Sequence, residues 1–224
     1  MEQKSALLAG ASGLIGGHCL RILLDEPAYT RVTIIVRRQL MLSHDKLVQY
    51  AVDFDDLELV GEALTADDVY CCLGTTIKKA GTRQAFCRVD FDYPVKLAAL
   101  TQHCDAQQFL LVTALGADVH SRIFYNRVKG DVEEAIQKIP FSGLHIFRPS
   151  LLLGERNEQR SGEKVGSVLM SGLKYVMGGP LRKYRPIQAR DVAKAMVQVA
   201  QKNLTDVNIF ESDHIQAIAN GMGI

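Results

Sequence analysis

Short apolar runs recur along the chain at Ala6 to Ala9, Val32 to Val36, Val69 to Leu73, Phe109 to Val112 and Leu144 to Phe147. Each is too short for a helix and is bounded by polar residues or glycine, so each predicts a buried strand. Amphipathic stretches lie between them. Ile15, Cys19, Ile22 and Leu23 fall on one helical face, and Arg83 to Cys104 reads as a second helix. Ile123 to Ile139 reads as a third, with Phe124, Val128, Val132, Ala135, Ile136 and Ile139 in one stripe. Strands alternating with helices call for a parallel sheet covered on both faces. After Phe147 the pattern loosens, and Arg156 to Gly166, rich in charge and glycine, predicts a mobile loop. Asp191 to Lys202 restores a helix with Val192, Ala195, Met196 and Val199 inward, and Val207 to Phe210 adds a last short strand. The expectation is one α/β domain over residues 1–224, a doubly wound parallel sheet in which 150–190 forms a small C-terminal lobe covering the substrate.

Composition narrows the partners. The 224 residues are 47% hydrophobic, enough for one sizeable core. With 26 basic and 25 acidic residues the net charge is +1, so no bulk electrostatic term draws the chain to nucleic acid or anionic lipid. No apolar run reaches the roughly 20 residues that cross a bilayer, and Met1 to Gly10 turns polar too soon for a signal peptide, which predicts a cytoplasmic protein. Five cysteines without C-x-x-C spacing suggest small buried hydrophobes in a reducing compartment, neither a disulfide framework nor a zinc site. His18, His44, His103, His120, His145 and His214 are scattered without ligand spacing, so no metal is expected.

The strongest local signal is Gly10-Ala11-Ser12-Gly13-Leu14-Ile15-Gly16, between the first strand and the first helix. Gly10 permits a tight turn, Gly13 lets backbone approach a pyrophosphate, and Gly16 lets the helix pack close, while helix N–H groups face the anion. Glycine-rich turns also join strand to helix without a ligand; here position and flanking elements favour a dinucleotide site on a Rossmann-type domain. At the end of the second strand, where a carboxylate would take the ribose of NAD, the chain has Arg37 and Arg38. A guanidinium binds a 2'-phosphate through charge-assisted hydrogen bonds, so NADP(H) is favoured over NAD(H), against the plainer reading of a solvated strand end.

Tyr125 and Lys129 stand at i, i+4, stacking phenol and ammonium on one helix face. An adjacent ammonium favours the phenolate and makes proton exchange with an alcohol or carbonyl feasible. Thr113, at the end of the Phe109 to Val112 run, is placed to polarise a substrate carbonyl; Ser121 is a less well placed substitute. Without the glycine turn, this tyrosine and lysine would describe an ordinary helix surface.

Together with Cys72-Leu73-Gly74-Thr75-Thr76, Gly116-Ala117, Tyr125 to Gly130 and Arg148-Pro149-Ser150, these residues resemble the short-chain dehydrogenase/reductase superfamily. The resemblance is to its atypical branch, near the extended epimerases and the Tat-interacting-protein-like oxidoreductases, and it spans nearly the whole chain. It implies that Gly10, Ser12, Gly13, Leu14, Ile15 and Gly16 surround the pyrophosphate and that Arg37 and Arg38 meet the adenosine phosphate. It implies that Asp53 contacts adenine, with an ordinary helix N-cap nearly as good a reading of that residue. Leu73, Gly74 and Thr75 would run along the adenine-proximal ribose and phosphates, and Lys129 would hold the nicotinamide ribose. Pro149, with Ser150 and Leu151, would border the nicotinamide amide, and Thr113, Tyr125 and Lys129 would be the catalytic set. Thr113 departs from the commoner serine, and the chain holds less of the C-terminal lobe of sugar-nucleotide epimerases, which favours a small carbonyl substrate. The expected activity is NADPH-dependent carbonyl reduction. The alternative is an NADPH-binding regulatory protein acting on a protein partner, with the Arg156 to Gly166 loop as its switch.

Overall fold

The computed structural model describes residues 3–154 and 179–223. Seven strands form one parallel sheet: β1 (Lys4–Ala9), β2 (Tyr29–Val36), β3 (Leu47–Ala51), β4 (Asp68–Cys71), β5 (Gln108–Val112), β6 (Gly143–Arg148) and β9 (Asp206–Glu211). Their order across the sheet is β3-β2-β1-β4-β5-β6-β9. Two short strands, β7 (Leu152–Leu153) and β8 (Ile187–Gln188), pair separately. The helices are α1 (Leu14–Asp25), α2 (Ile77–Ala80), α3 (Arg83–Cys87), α4 (Tyr93–His103), α5 (Phe124–Gln137), α6 (Ala189–Ala200) and α7 (Ser212–Ala219), with a 3-10 segment at Phe54–Leu64. This is the expected doubly wound Rossmann-type fold.

Period-2 alternation divides the core. Ala6 and Leu8 of β1 join Val32, Ile34, Leu110 and Phe147 under α1, α6 and α7. Leu7 and Ala9 join Ile35, Val69, Phe109 and Ile146 under α4 and α5. In α6 the predicted inward residues Val192, Ala195, Met196 and Val199 are all buried. The order reverses between β1 and β4, which opens a crevice at the strands' C-terminal ends, where ligands of this architecture sit.

The Arg83 to Cys104 helix is interrupted by a π-helical turn at Arg88–Asp92. Pro94 lies at the start of α4. It has no N–H to give the carbonyl of Asp90 and its ring crowds that carbonyl, so a wider turn relieves both problems. Strand β3 was not expected. It is a half-buried edge strand whose Gln49 breaks the apolar run. The Gln49 carboxamide holds the backbone of Leu40 at 2.9 and 3.1 Å and that of Leu42 at 2.9 Å. Most of the expected 150–190 lobe, with the Arg156 to Gly166 loop, lies outside the described residues.

Candidate functional site

The glycine turn joins β1 to α1 through backbone contacts that exclude side chains. Gly10 has φ +91°, and a Cβ there would lie 2.5 Å from the carbonyl oxygen of Cys72. A Cβ on Gly16 would lie 2.1 Å from the carbonyl oxygen of Gly10. The turn closes with Gly13 N–H donating to Gly10 O at 2.8 Å. Gly13 caps α1 without a side-chain hydrogen bond, and the first turn of α1 carries no acidic residue. Among the described residues no side chain accepts from its leading amides, and the helix dipole favours an anion there. Ser12 and Gly13 are exposed, Leu14 is half-buried, and Ile15 is buried.

Arg37 and Arg38 follow β2 and are both exposed. Among the described residues neither is paired with a carboxylate. Asp53, beyond the end of β3, accepts the Asp55 N–H at 3.1 Å and opens the 3-10 segment. One oxygen of its side chain thus acts as a cap, and the other has no hydrogen bond among the described residues.

Tyr125 and Lys129 share one face of α5. Tyr125 is half-buried, with its ring 5.7 Å from that of Phe86. Lys129 is buried, and its Nζ lies 2.8 Å from Asp90 Oδ1. The other oxygen of Asp90 accepts the Thr75 N–H at 2.9 Å. A Cβ on Gly74 would be 3.8 Å from Lys129 Nζ. Burial acts most strongly on Lys129 and disfavours its charge, but Asp90 and Tyr125 outweigh it and hold the ammonium above the ordinary lysine value. Sequence reasoning missed Asp90. Its only signal is a carboxylate four residues before Pro94, in a helix it would otherwise decorate as a surface charge.

Thr113 is placed differently from expectation. Its hydroxyl donates to Glu133 Oε1 at 2.6 Å, and both residues are buried. Glu133, one turn beyond Lys129 on α5, is gripped by Arg148 from the end of β6, through Nε at 3.0 and 3.1 Å and through Nη2. A hydroxyl has one proton, so in this arrangement Thr113 cannot also donate to a substrate carbonyl. Ser121 Oγ accepts the Ile123 N–H at 3.1 Å, which leaves its own proton to give. Pro149 is buried and its carbonyl accepts the Leu115 N–H at 2.9 Å, tying the ends of β5 and β6 together. Ser150 N–H donates to Ser212 Oγ at 3.2 Å. Leu73, Gly74 and Thr75 form the loop between the glycine turn and Lys129.

The chain can be set beside known proteins. Residues 6–210 match the family model described as the NAD dependent epimerase/dehydratase family. Protein HTATIP2 of Rattus norvegicus is 40% identical over 167 residues, 73% of this chain and 69% of its own. Protein FMP52, mitochondrial, of Candida albicans is 28% identical over 229 residues, 97% of this chain and 99% of its own. The crystal structure of human epimerase family protein SDR39U1 (isoform 2) with NADPH has a TM-score of 0.64 at 16% identity, covering 92% of this chain and 74% of that one, a likeness of fold. Other solved neighbours of this fold carry NAD. The expected cytoplasmic setting is corrected here, because fungal relatives, including that of Saccharomyces cerevisiae, are named mitochondrial.

Proposed function

Because the chain belongs to the NAD dependent epimerase/dehydratase family, we propose that it binds a nicotinamide dinucleotide, NADPH in preference to NADH, and reduces a small carbonyl compound. One observation carries this reading. The glycine turn and the Tyr125–Lys129 face meet at one end of the sheet, joined by the Cys72 to Thr75 backbone, which packs against Gly10 at one end and is bonded to Asp90 at the other. The residues fit the cofactor: glycines where any Cβ would collide, uncapped amides for a pyrophosphate, and two guanidinium groups, without a carboxylate partner among the described residues, where a 2'-phosphate would lie.

A bound reduced nicotinamide supplies hydride to the carbonyl carbon. Tyr125 gives its proton to the carbonyl oxygen, and Lys129 would hold the nicotinamide ribose and fix the field at the phenol. Leu73, Gly74 and Thr75 would line the ribose and phosphate path of the bound dinucleotide, and Pro149 would border its nicotinamide amide.

The test is NADPH consumption by wild type and Tyr125→Phe against a panel of small aldehydes and ketones. Loss of about 100-fold or more in kcat, with NADPH affinity retained, is the expected result. Turnover that survives the substitution contradicts the assignment. A second reading, in which cofactor occupancy rather than turnover is the function, is favoured by the commitment of the Thr113 proton to Glu133. It predicts NADPH binding with no turnover of any carbonyl by either protein.

A further inference from the structure

The net charge of +1 is unevenly placed. Residues 77–88 carry Lys78, Lys79, Arg83 and Arg88 with no carboxylate, and residues 119–127 carry Arg122 and Arg127 with none. The first segment follows β4 and the second follows β5, so both lie beyond the C-terminal ends of the strands. Thr76 and Thr82 cap the short helices α2 and α3, accepting the Lys79 and Ala85 N–H groups at 3.1 and 3.0 Å, which sets Lys78 and Arg83 on fixed turns. Phe124, at the start of α5, packs on Phe86 of α3 with ring centres 5.6 Å apart. The Arg83 guanidinium lies 5.0 Å from the Phe124 ring centre and that of Arg127 5.9 Å, so cations of both segments gather at one aromatic side chain.

Two aliphatic side chains stand out of this basic surface. Ile77 is 43% exposed and Ile123 is 61% exposed. Each adjoins an exposed cation in the chain, Lys78 and Arg122 respectively. Among the described residues no ion pair joins Lys78, Arg83, Arg122 or Arg127 to a carboxylate, Asp118 and Asp131 on either side of the second segment included. A soluble anion would meet these cations and leave both isoleucines in water. A protein interface gathers its apolar side chains into a contiguous centre with charge at the rim. Here the apolar tips are separate and interleaved with charge, which suits the boundary of a bilayer. There an aliphatic tip enters the acyl region while the neighbouring lysine or arginine keeps its charge among the phosphates.

We propose that the surface formed by α2, α3 and the start of α5 docks the protein on an anionic lipid bilayer. Lys78, Arg83, Arg122 and Arg127 meet lipid phosphates, and Ile77 and Ile123 enter between the headgroups. Ile123 lies two residues before Tyr125, so docking brings this end of the sheet to the membrane. The docking goes beyond the cofactor reading and does not depend on it.

The experiment is flotation of the whole, cofactor-free chain with vesicles of phosphatidylcholine alone and of phosphatidylcholine with phosphatidylglycerol at about 2:1, a composition that supplies a negative surface potential. Binding to the mixed vesicles is expected to be about tenfold stronger or more, and to be lost at about 1 M salt, where charges are screened within about 3 Å. The double variant Arg83→Gln with Arg122→Gln is expected to weaken it by about tenfold or more, at about fivefold for each cation. Ile123→Gln, which leaves the charge unchanged, is expected to weaken it about threefold or more. Absence of flotation with the mixed vesicles, equal flotation with both compositions, or a double variant that floats like wild type overturns the proposal. Binding of soluble polyglutamate that Ile123→Gln leaves unchanged, without flotation, assigns the surface to an acidic protein and overturns it as well. The substituted side chains are exposed, thermal melting checks that the variants fold, and the wild-type arms decide even if they do not. NADPH binding is measured on separate samples without vesicles, so failure of the cofactor reading is distinguishable from failure of the docking.

Discussion

The two ends of the sheet both bury polar groups, and they treat them in opposite ways. At the strands' N-terminal end a cleft of about 390 Å³ is lined by Lys4, Asp68, Gln108, Ser142 and Asn203 among others. Lys4 Nζ is shared among Asp68 at 3.3 Å, the Ala200 carbonyl at 3.3 Å and Asn203 at 2.5 Å. Gln108 donates to Asp68 at 2.7 Å and to Ala200 at 3.0 Å. Tyr29 bonds Asp68 at 2.5 Å and meets the Tyr70 hydroxyl at 2.7 Å. The network closes on itself and caps the C-terminus of α6, where a cation also suits the helix dipole. At the other end, among the described residues, the α1 N-terminus has no side-chain cap and Arg37 and Arg38 have no carboxylate partner. A cavity marks where side chains leave room. Exposed donors without a protein acceptor mark where an anion would sit.

Gly16→Ala should have the largest effect on that contrast, because its Cβ would meet fixed backbone at 2.1 Å. We expect a loss of about 3 kcal/mol in denaturant unfolding, with NADPH binding abolished. A variant that keeps both would show that the turn is not built around its glycines.

Acid should strike the closed end next. His145 is fully buried, its Nε2 lies 3.0 Å from Gln108 Oε1, and its Nδ1 has no partner among the described residues. Burial lowers its pKa from 6.5 to about 4. The unfolded chain then binds the proton more readily than the folded one, so this contribution is present above pH 6.5 and is lost as pH falls toward 4. At about 1.4 kcal/mol per pH unit the loss reaches about 3 kcal/mol, and His145→Gln should flatten that part of the stability profile. Equal acid sensitivity in the variant would place the effect elsewhere.

Asp68→Asn should cost about 2 kcal/mol by weakening the bonds to Tyr29 and Lys4, with NADPH affinity unchanged. A change in affinity would mean that the two ends are coupled through the sheet.

The strands that carry the site were legible because each is a short apolar run, and the glycine turn because its position between strand and helix is as informative as its spelling. Strand β3 was hidden by Gln49, whose role is to hold a loop. What remained illegible were long-range pairings. Asp90 reads as a surface charge until the π-helical turn directs it to Lys129, and Thr113 reads as a catalytic hydroxyl until Glu133, across a loop on the next helix, takes its proton. Asp53 was legible only as a choice between two roles, of which local geometry shows the cap, through one carboxylate oxygen.

The measurement that bears most directly on the account is a calorimetric titration with NADPH and, separately, NADH, on wild type and on the double variant Arg37→Ala with Arg38→Ala. We expect NADPH to bind wild type more tightly by about tenfold or more, the worth of one good charge-assisted contact, and the preference to vanish in the double variant. Equal binding of the two nucleotides by wild type would contradict the NADPH assignment, and binding of neither would contradict the cofactor site itself.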